Sequence, residues 1–217
     1  MHAAREAGTL LCGKFIGKVM EKALKTGESN ACMKRIVAAP TAGSCGVVPA
    51  VFLTLEEEKH FSEEKLVEAI YVAAGIGGVI ANRAFLAGAA GGCQAEIGSA
   101  SAMAAGGVAY LMGGDAVQIS HAAALALKNL LGLACDPVAG LVEVPCVKRN
   151  VMGAVNAMPS SDMVMAGITS KIPPDEVIDA MRAIGRSMSE DIRETGKGGL
   201  AGTPTGVAIR ERMAGTL

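Results

Sequence analysis

Apolar blocks separated by short polar or Gly/Pro-rich breaks divide this chain into a series of predicted helices. The first 25 residues read as one helix ending near Thr26-Gly27. A loop covers residues 38–46, and an apolar stretch enters a helix at Val47 and runs to Leu55. Ser62 followed by Glu63 and Glu64 predicts a helix start, because a hydroxyl cap and acidic side chains satisfy and complement the positive N-terminus. That helix runs to about Leu86, and a Gly-rich turn at 88–92 then leads to Cys93. Another helix is predicted over 97–111. Asp115 is the expected cap of a helix through Leu130 or Leu131, stopped at Gly132. Residues 135–150 are predicted to be irregular, since Pro137, Gly140 and Pro145 interrupt them. Ser160, Ser161 or Asp162 is a candidate helix cap. Pro173 and Pro174 before Asp175 and Glu176 predict a further start. Val177, Ile178, Met181 and Ile184 follow at helical spacing, with Gly185 at the end. Residues 195–206, rich in Gly and Thr, are predicted to be a loop.

Composition sharpens this picture. Hydrophobic residues make up 51% of the 217, but aromatics only 3%, with no Trp and 28 Gly. A core of such small side chains reaches normal density only if backbones approach closely, which helices lined by small residues do well. The expected fold is all-α: a compact bundle of small-residue-packed helices with functional Gly/Pro-rich loops. No repeat, low-complexity tract or linker divides it, so residues 1–217 are expected to form a single catalytic domain. The longest uncharged run, 97–114, has 18 residues, the lower limit for a membrane span. It is mostly Ala and Gly, and acidic Glu96 and Asp115 flank it where Lys or Arg would be expected. It therefore reads as a buried helix, and no membrane association is expected.

A net charge of -1 argues against a nucleic-acid partner. Six Cys behind a polar start at residues 1–8 do not suggest a secreted disulfide scaffold. A reducing cytoplasmic location is expected, where thiols serve metals or catalysis. Three of the six, Cys93, Cys135 and Cys146, stand in Gly/Pro-flanked segments that combine a fixed backbone with freedom from regular packing. Their spacings, 42 and 11 residues, match no zinc-finger or ferredoxin pattern. On spacing alone, small core cysteines are the plainer reading.

The flanking residues carry more. PTAGSCGVVPAV, AGAAGGCQAEIGSAS, LKNLLGLACDPVAGLVEVPCVKRN, NAMPSSDM and ETGKGGLAGTPTG occur in this order over residues 30–213. Together they resemble the alpha chain of the iron–sulfur-dependent L-serine dehydratases. The resemblance implies that Cys93, Cys135 and Cys146 hold a [4Fe–4S] cluster whose remaining iron is open to L-serine. The implied products are pyruvate and ammonia. Cys12, Cys32 and Cys45 lie outside the matched ligand motifs. The family also carries an N-terminal segment with its own Gly-rich motif and a regulatory beta part. Neither is seen here, so a heteromer with a beta chain is expected, with weak activity from this chain alone.

Serine dehydration needs a Lewis acid for the hydroxyl and a base for the Cα proton. His121, in the apolar middle of the chain, and Lys148, two residues after Cys146, are both candidates for the base. Their plainer roles are a core His bonded to a carbonyl and charge balance shared with Arg149. For the substrate carboxylate, the N–H groups of loop 40–46 are candidates, with Thr41, Gly43 and Ser44. Asn150, Ser160 and Ser161 are further candidates. Loop 197–205 is a candidate lid hinged at Gly198 and Gly199. Glu96, Asp136 and Glu143 are candidates for orienting the ligands.

Three other readings compete. A pyridoxal-phosphate dehydratase would use a Lys such as Lys171, but Pro173 and Pro174 follow at once. A cysteine desulfidase would use a similar cluster on a thiol substrate. A non-enzymatic helical assembly or membrane module explains the composition but not the Cys segments.

Overall fold

The computed structural model describes residues 1–215. Among the described residues ten α-helices follow one another: α1 (His2–Glu6), α2 (Gly13–Ala31), α3 (Val47–Lys59), α4 (Glu63–Arg83), α5 (Gly88–Gly91), α6 (Ser99–Leu111), α7 (Ala116–Lys128), α8 (Cys146–Met165), α9 (Pro174–Ser187) and α10 (Pro204–Ala214). A π-helical turn, Gln94–Gly98, leads directly into α6, and three 3₁₀ turns occupy Val138–Gly140, Glu190–Ile192 and Gly199–Gly202. Among the described residues there is no strand, only an isolated bridge between Cys135 and Arg193. The all-α expectation holds.

Helix α6 is the axis. Every residue from Ser99 to Ala109 is buried, and α3, α4, α7 and α8 pack around it. Its Ala, Ser and Gly side chains make that enclosure possible. A methyl group added at Gly107 would strike the ring of Phe52 on α3. One added at Gly153 of α8 would come within 2.8 Å of Ile97. This helix is the uncharged run read as buried, and no described helix is long and apolar enough to cross a membrane.

Two hydroxyls set the direction of α8 against α6. Ser101 donates to the Gly153 carbonyl and Ser161 to the Ala105 carbonyl, both at 2.8 Å. The two helices therefore run in step. Helix α3 starts at the same end, because a Cβ at Gly153 would also meet Val47 at 3.1 Å. The N-termini of α3, α8 and the π-turn–α6 unit converge there. Helix α7 runs the other way: Ile119, near its start, faces Gly106, well along α6.

Helix starts follow the local signals. Ser62 accepts from the Lys65 N–H at 3.3 Å, and Asp115 forms a reciprocal capping box with Gln118. Several ends differ from expectation. The first helix is two, because Gly8 and Gly13 take φ of 69° and 72°, outside the helical region. The second continues past Thr26-Gly27 to Ala31, and Gly27 lies inside it, 3.3 Å (as a Cβ) from the Val147 backbone. The helix from Ser62 stops at Arg83, short of Leu86, and α7 stops at Lys128. Residues 135–150 are only partly irregular, since α8 begins at Cys146. Ser160, Ser161 and Asp162 are not caps. They lie inside α8, which runs through Pro159 because tertiary packing outweighs one lost backbone bond. Helix α9 passes Gly185 and ends at Ser187, and that glycine instead meets the Gly91 backbone. The end of the predicted loop 195–206 is helical, with Thr203 capping α10 through the Gly206 N–H at 3.1 Å.

Candidate active site

Cys93, Cys135 and Cys146 are all buried, and none is in a disulfide. Each is delivered by a different segment to the end where the helices start. Cys93 immediately precedes the π-turn, and Cys146 is the first residue of α8. A thiolate at a helix N-terminus is favoured by the partial positive charge there. Cys135 lies in the extended stretch after α7. Its N–H donates to the Ile192 carbonyl at 2.8 Å, and its carbonyl accepts from the Glu194 N–H at 2.7 Å.

Side chains lock these segments together. Gln94 donates to the Gly91 and Met181 carbonyls and accepts from the Gly132 N–H at 2.9 Å. Its own N–H donates to the Leu133 carbonyl at 3.1 Å, tying the Cys93 segment to the Cys135 segment. Arg149, on α8, donates to the Ala134 carbonyl at 2.7 Å and pairs with Asp136 at 2.9 Å. Asp136 in turn accepts from the Leu200 N–H at 2.8 Å. The 3₁₀ turn Gly199–Gly202 is thus pinned against the Cys135 loop, and Gly199 approaches Asp136 too closely for any side chain.

The thiols interact. Burial pushes Cys93 up to about 12, with the Arg149 guanidinium beside it acting in the opposite sense and Cys146 adding to the rise. Burial raises Cys146 to about 11, and the Glu96 carboxylate adds to it. Burial also raises Cys135, reinforced by Cys93, Glu96 and Glu194. The three sulfurs therefore share one region with the carboxylates of Glu96, Glu194 and Asp136 and the guanidinium of Arg149. Among the described residues no three His, Cys, Asp or Glu side chains are grouped to hold one metal ion. A four-iron cluster is held by cysteine thiolates, and three buried sulfurs, Cys135 and Cys93 each raised by another of them, with the Arg149 guanidinium beside Cys93, fit that donor set. The backbone leaves room for them: a Cβ on Gly88 would come within 2.7 Å of the Cys135 sulfur.

Loop 40–46 borders this region. Asn150, on α8, holds it by accepting from the Gly46 N–H and donating to the Gly43 carbonyl, each at 2.8 Å. The peptide bonds before Pro40 and Pro145 are cis. The Ser44 hydroxyl is used inside the loop, 3.1 Å from that of Thr41. Among the described residues, the N–H groups of Ala42, Gly43 and Ser44 find no acceptor. Gly43 presses on Glu96, whose oxygens lie 3.1 and 3.2 Å from where its Cβ would be.

Thr41, Gly43, Ser44, Asn150 and the three cysteines are therefore brought to one end of the bundle. The other predicted residues are not. Ser160 and Ser161 bond carbonyls of their own helix, Asn156 and Ala157. Ser160 lies fourteen positions beyond Cys146 on α8, about 21 Å along the axis. His121 sits on the first half of α7, two residues beyond Ile119, which faces Gly106, and so about 9 Å up the bundle from the π-turn. Its Nδ1 is buried without a hydrogen-bond partner. Lys148 is exposed and lines a shallow groove with Glu28, Cys32 and Glu143. Lys171 is exposed in the connection before α9. Glu143 is exposed as well, whereas Glu96 and Asp136 do face the site. Two contributors went unread in the sequence: Gln94, buried next to Cys93, and Glu194, held at φ 66°. The only sequence sign of Gln94 is a polar residue among small apolar ones.

Comparison with known proteins shows the family of the chain. The serine dehydratase alpha chain family profile matches residues 1–201. The chain is 52% identical over 215 residues to a probable L-serine dehydratase alpha chain of Bacillus subtilis, covering 99% of this chain and 72% of that one. It is 51% identical to the corresponding protein of Latilactobacillus sakei, covering 91% and 95% of the two chains. With the L-serine dehydratase alpha chain of Peptoniphilus asaccharolyticus it shares 49% over 204 residues, 94% of this chain and 70% of that one. The chain belongs to the serine dehydratase alpha chain family.

Proposed function

We propose that this chain is the catalytic chain of an L-serine dehydratase, an ammonia-lyase that converts L-serine to pyruvate and ammonia in the cytoplasm. We read residues 1–217 as one catalytic domain and Cys93, Cys135 and Cys146 as the ligands of a [4Fe–4S] cluster. One observation carries this reading. Three distant segments deliver three buried thiols to the point where helix N-termini meet, in a chain about half identical to named serine dehydratase alpha chains. Those relatives are dehydratases by name, so neither a cysteine desulfidase nor a non-enzymatic helical assembly is favoured.

When bound, such a cluster supplies a Lewis-acid iron with an open position for the substrate hydroxyl. The protein's own groups do the rest. The unpartnered N–H groups of Ala42, Gly43 and Ser44, with the Thr41 hydroxyl and the start of α3, suit the substrate carboxylate. Asn150 keeps that loop in register with Cys146, whose carbonyl it also bonds at 2.8 Å. Arg149 places one positive charge among the thiolates and fixes the Cys135 loop. The turn pinned to Asp136 covers that loop and excludes water from it. The relatives are named alpha chains, so a beta chain is the partner we assign.

The test is iron and acid-labile sulfide content of protein purified without oxygen, followed by L-serine turnover with and without a beta chain. Substituting Ser at Cys93, Cys135 or Cys146 is expected to abolish iron binding, while Cys12→Ser leaves it intact. Full iron content in one of the three variants removes that residue from the ligand set. Turnover of L-serine by iron-free protein would refute the reading.

A further inference from the structure

We infer that the Glu96 carboxylate receives the α-ammonium group of the substrate amino acid, an inference that rests on the dehydratase reading above. Glu96 stands on the π-helical turn Gln94–Gly98, three residues after Cys93. Single π-helical turns widen a helix locally and recur at functional sites. Here the turn presents the carboxylate to all three thiols, each of which feels its charge.

The carboxylate is held from two sides. Backbone at Gly43 and at Gly88 approaches so closely that a Cβ on either would lie 3.1 Å from Oε2. Gly43 belongs to the loop assigned to the substrate carboxylate, and Gly88 also touches the Cys135 sulfur. Glu96 thus lies between the loop assigned to the substrate carboxylate and a thiol assigned to the cluster. The remaining polar substituent of the substrate Cα is its ammonium.

Charge points the same way. Among the described residues Glu96 forms no ion pair; its polar neighbour is the Thr41 hydroxyl. The guanidinium beside Cys93, that of Arg149, is engaged by Asp136, the Ala134 carbonyl and Cys93. The next charged group facing Glu96 is another carboxylate, Glu194. A partly buried carboxylate without a cation is costly, and a cation supplied by the ligand relieves the cost. The chemical class recognised is an α-amino acid carrying a β-hydroxyl, in preference to the corresponding hydroxy acid.

The test compares the cluster-loaded protein, with its beta chain, as wild type and as Glu96→Gln and Glu96→Asp. KM and kcat for L-serine are measured, together with binding of L-serine and of L-glycerate, which carries a hydroxyl in place of the ammonium. Binding is read from protection of the cluster against oxygen bleaching. Glu96→Gln is expected to raise KM at least tenfold with kcat changed less than threefold, and to erase the preference for L-serine over L-glycerate. Glu96→Asp should keep the preference with weaker binding. An unchanged preference in Glu96→Gln overturns the inference. So does a collapse of kcat at constant KM, which would mark proton transfer, or loss of iron from both variants, which would mark a role in holding the cluster. Wild type without iron or serine turnover refutes the dehydratase reading itself, whatever the variants do.

Discussion

The side-chain oxygen of Asn150 accepts a hydrogen bond from the backbone N–H of Gly46 at 2.8 Å, across 104 residues of sequence. The same amide group donates to the carbonyls of Gly43 and Cys146. One buried side chain thus joins the loop at the start of α3 to the first turn of α8. Asn150→Ala leaves the Gly46 N–H and the Gly43 carbonyl without their partner, and the expected destabilisation is about 2–4 kcal/mol. Asn150→Asp should do at least as badly, because a carboxylate has no proton for the two carbonyls. Urea unfolding of the iron-free chain measures the loss, and iron retention should fall with it. Iron content and stability both unchanged in Asn150→Ala would contradict this role.

Arg149 and Asp136 form the second tie. Asp136 is 4% exposed, and its partner is the guanidinium 2.9 Å away. Arg149→Ala strands a buried carboxylate, which costs about 3–5 kcal/mol. Adding Asp136→Asn should restore part of that loss, since the stranded charge disappears. The double-mutant cycle in urea reads the coupling directly. Additive losses would mean that the pair is not coupled.

Thiol accessibility separates the six cysteines. Cys12 and Cys32 are exposed, and Cys45, Cys93, Cys135 and Cys146 are buried. Burial also raises the Cys45 thiol above its usual range, so little thiolate forms there near neutrality. Alkylation of the native chain followed by mass spectrometry is expected to give two fast sites, Cys12 and Cys32, and four slow ones. Rapid labelling of Cys93 or Cys146 would mean that this end of the bundle is open.

Glu96 gives a pH signature. Burial raises its pKa above the 4.5 of an unfolded carboxyl, against a smaller lowering by the Thr41 hydroxyl, with the Glu194 charge adding to the rise. The folded chain therefore binds this proton more tightly than the unfolded chain does. Below about 4.5 both states are protonated and there is no penalty. The penalty grows as pH rises through the folded pKa and is constant above it. Glu96→Gln removes the ionisable group. The iron-free variant should unfold at higher urea than wild type at pH 7, with the gap closing as pH falls to 4. A gap that widens toward low pH would reverse the sign of this argument.

Much of this protein was legible in its residues. The helix starts at Ser62, Asp115 and Pro173-Pro174 are local events, decided by one cap or one fixed φ, and they stand where the sequence puts them. The surplus of Ala and Gly over aromatics foretold an all-α core of closely approaching backbones, and α6 is that core. The family likeness around Cys93, Cys135 and Cys146 marked them as candidate ligands, and all three are buried at one end of the bundle. What only the tertiary structure decided is which residues meet. Local signals break at Pro159, yet α8 continues because its buried face gains more from packing than the missing bond costs. His121 and Lys148 were chosen for their chemistry, but one turn of a helix is enough to aim a side chain elsewhere, and sequence distance to Cys146 says nothing about that. Asn150 and Gly46, or Arg149, Asp136 and Leu200, are brought together by helix directions and lengths, which are long-range consequences of core packing. A cap is specified by the residue that makes it, whereas a site is specified by everything that holds its walls apart.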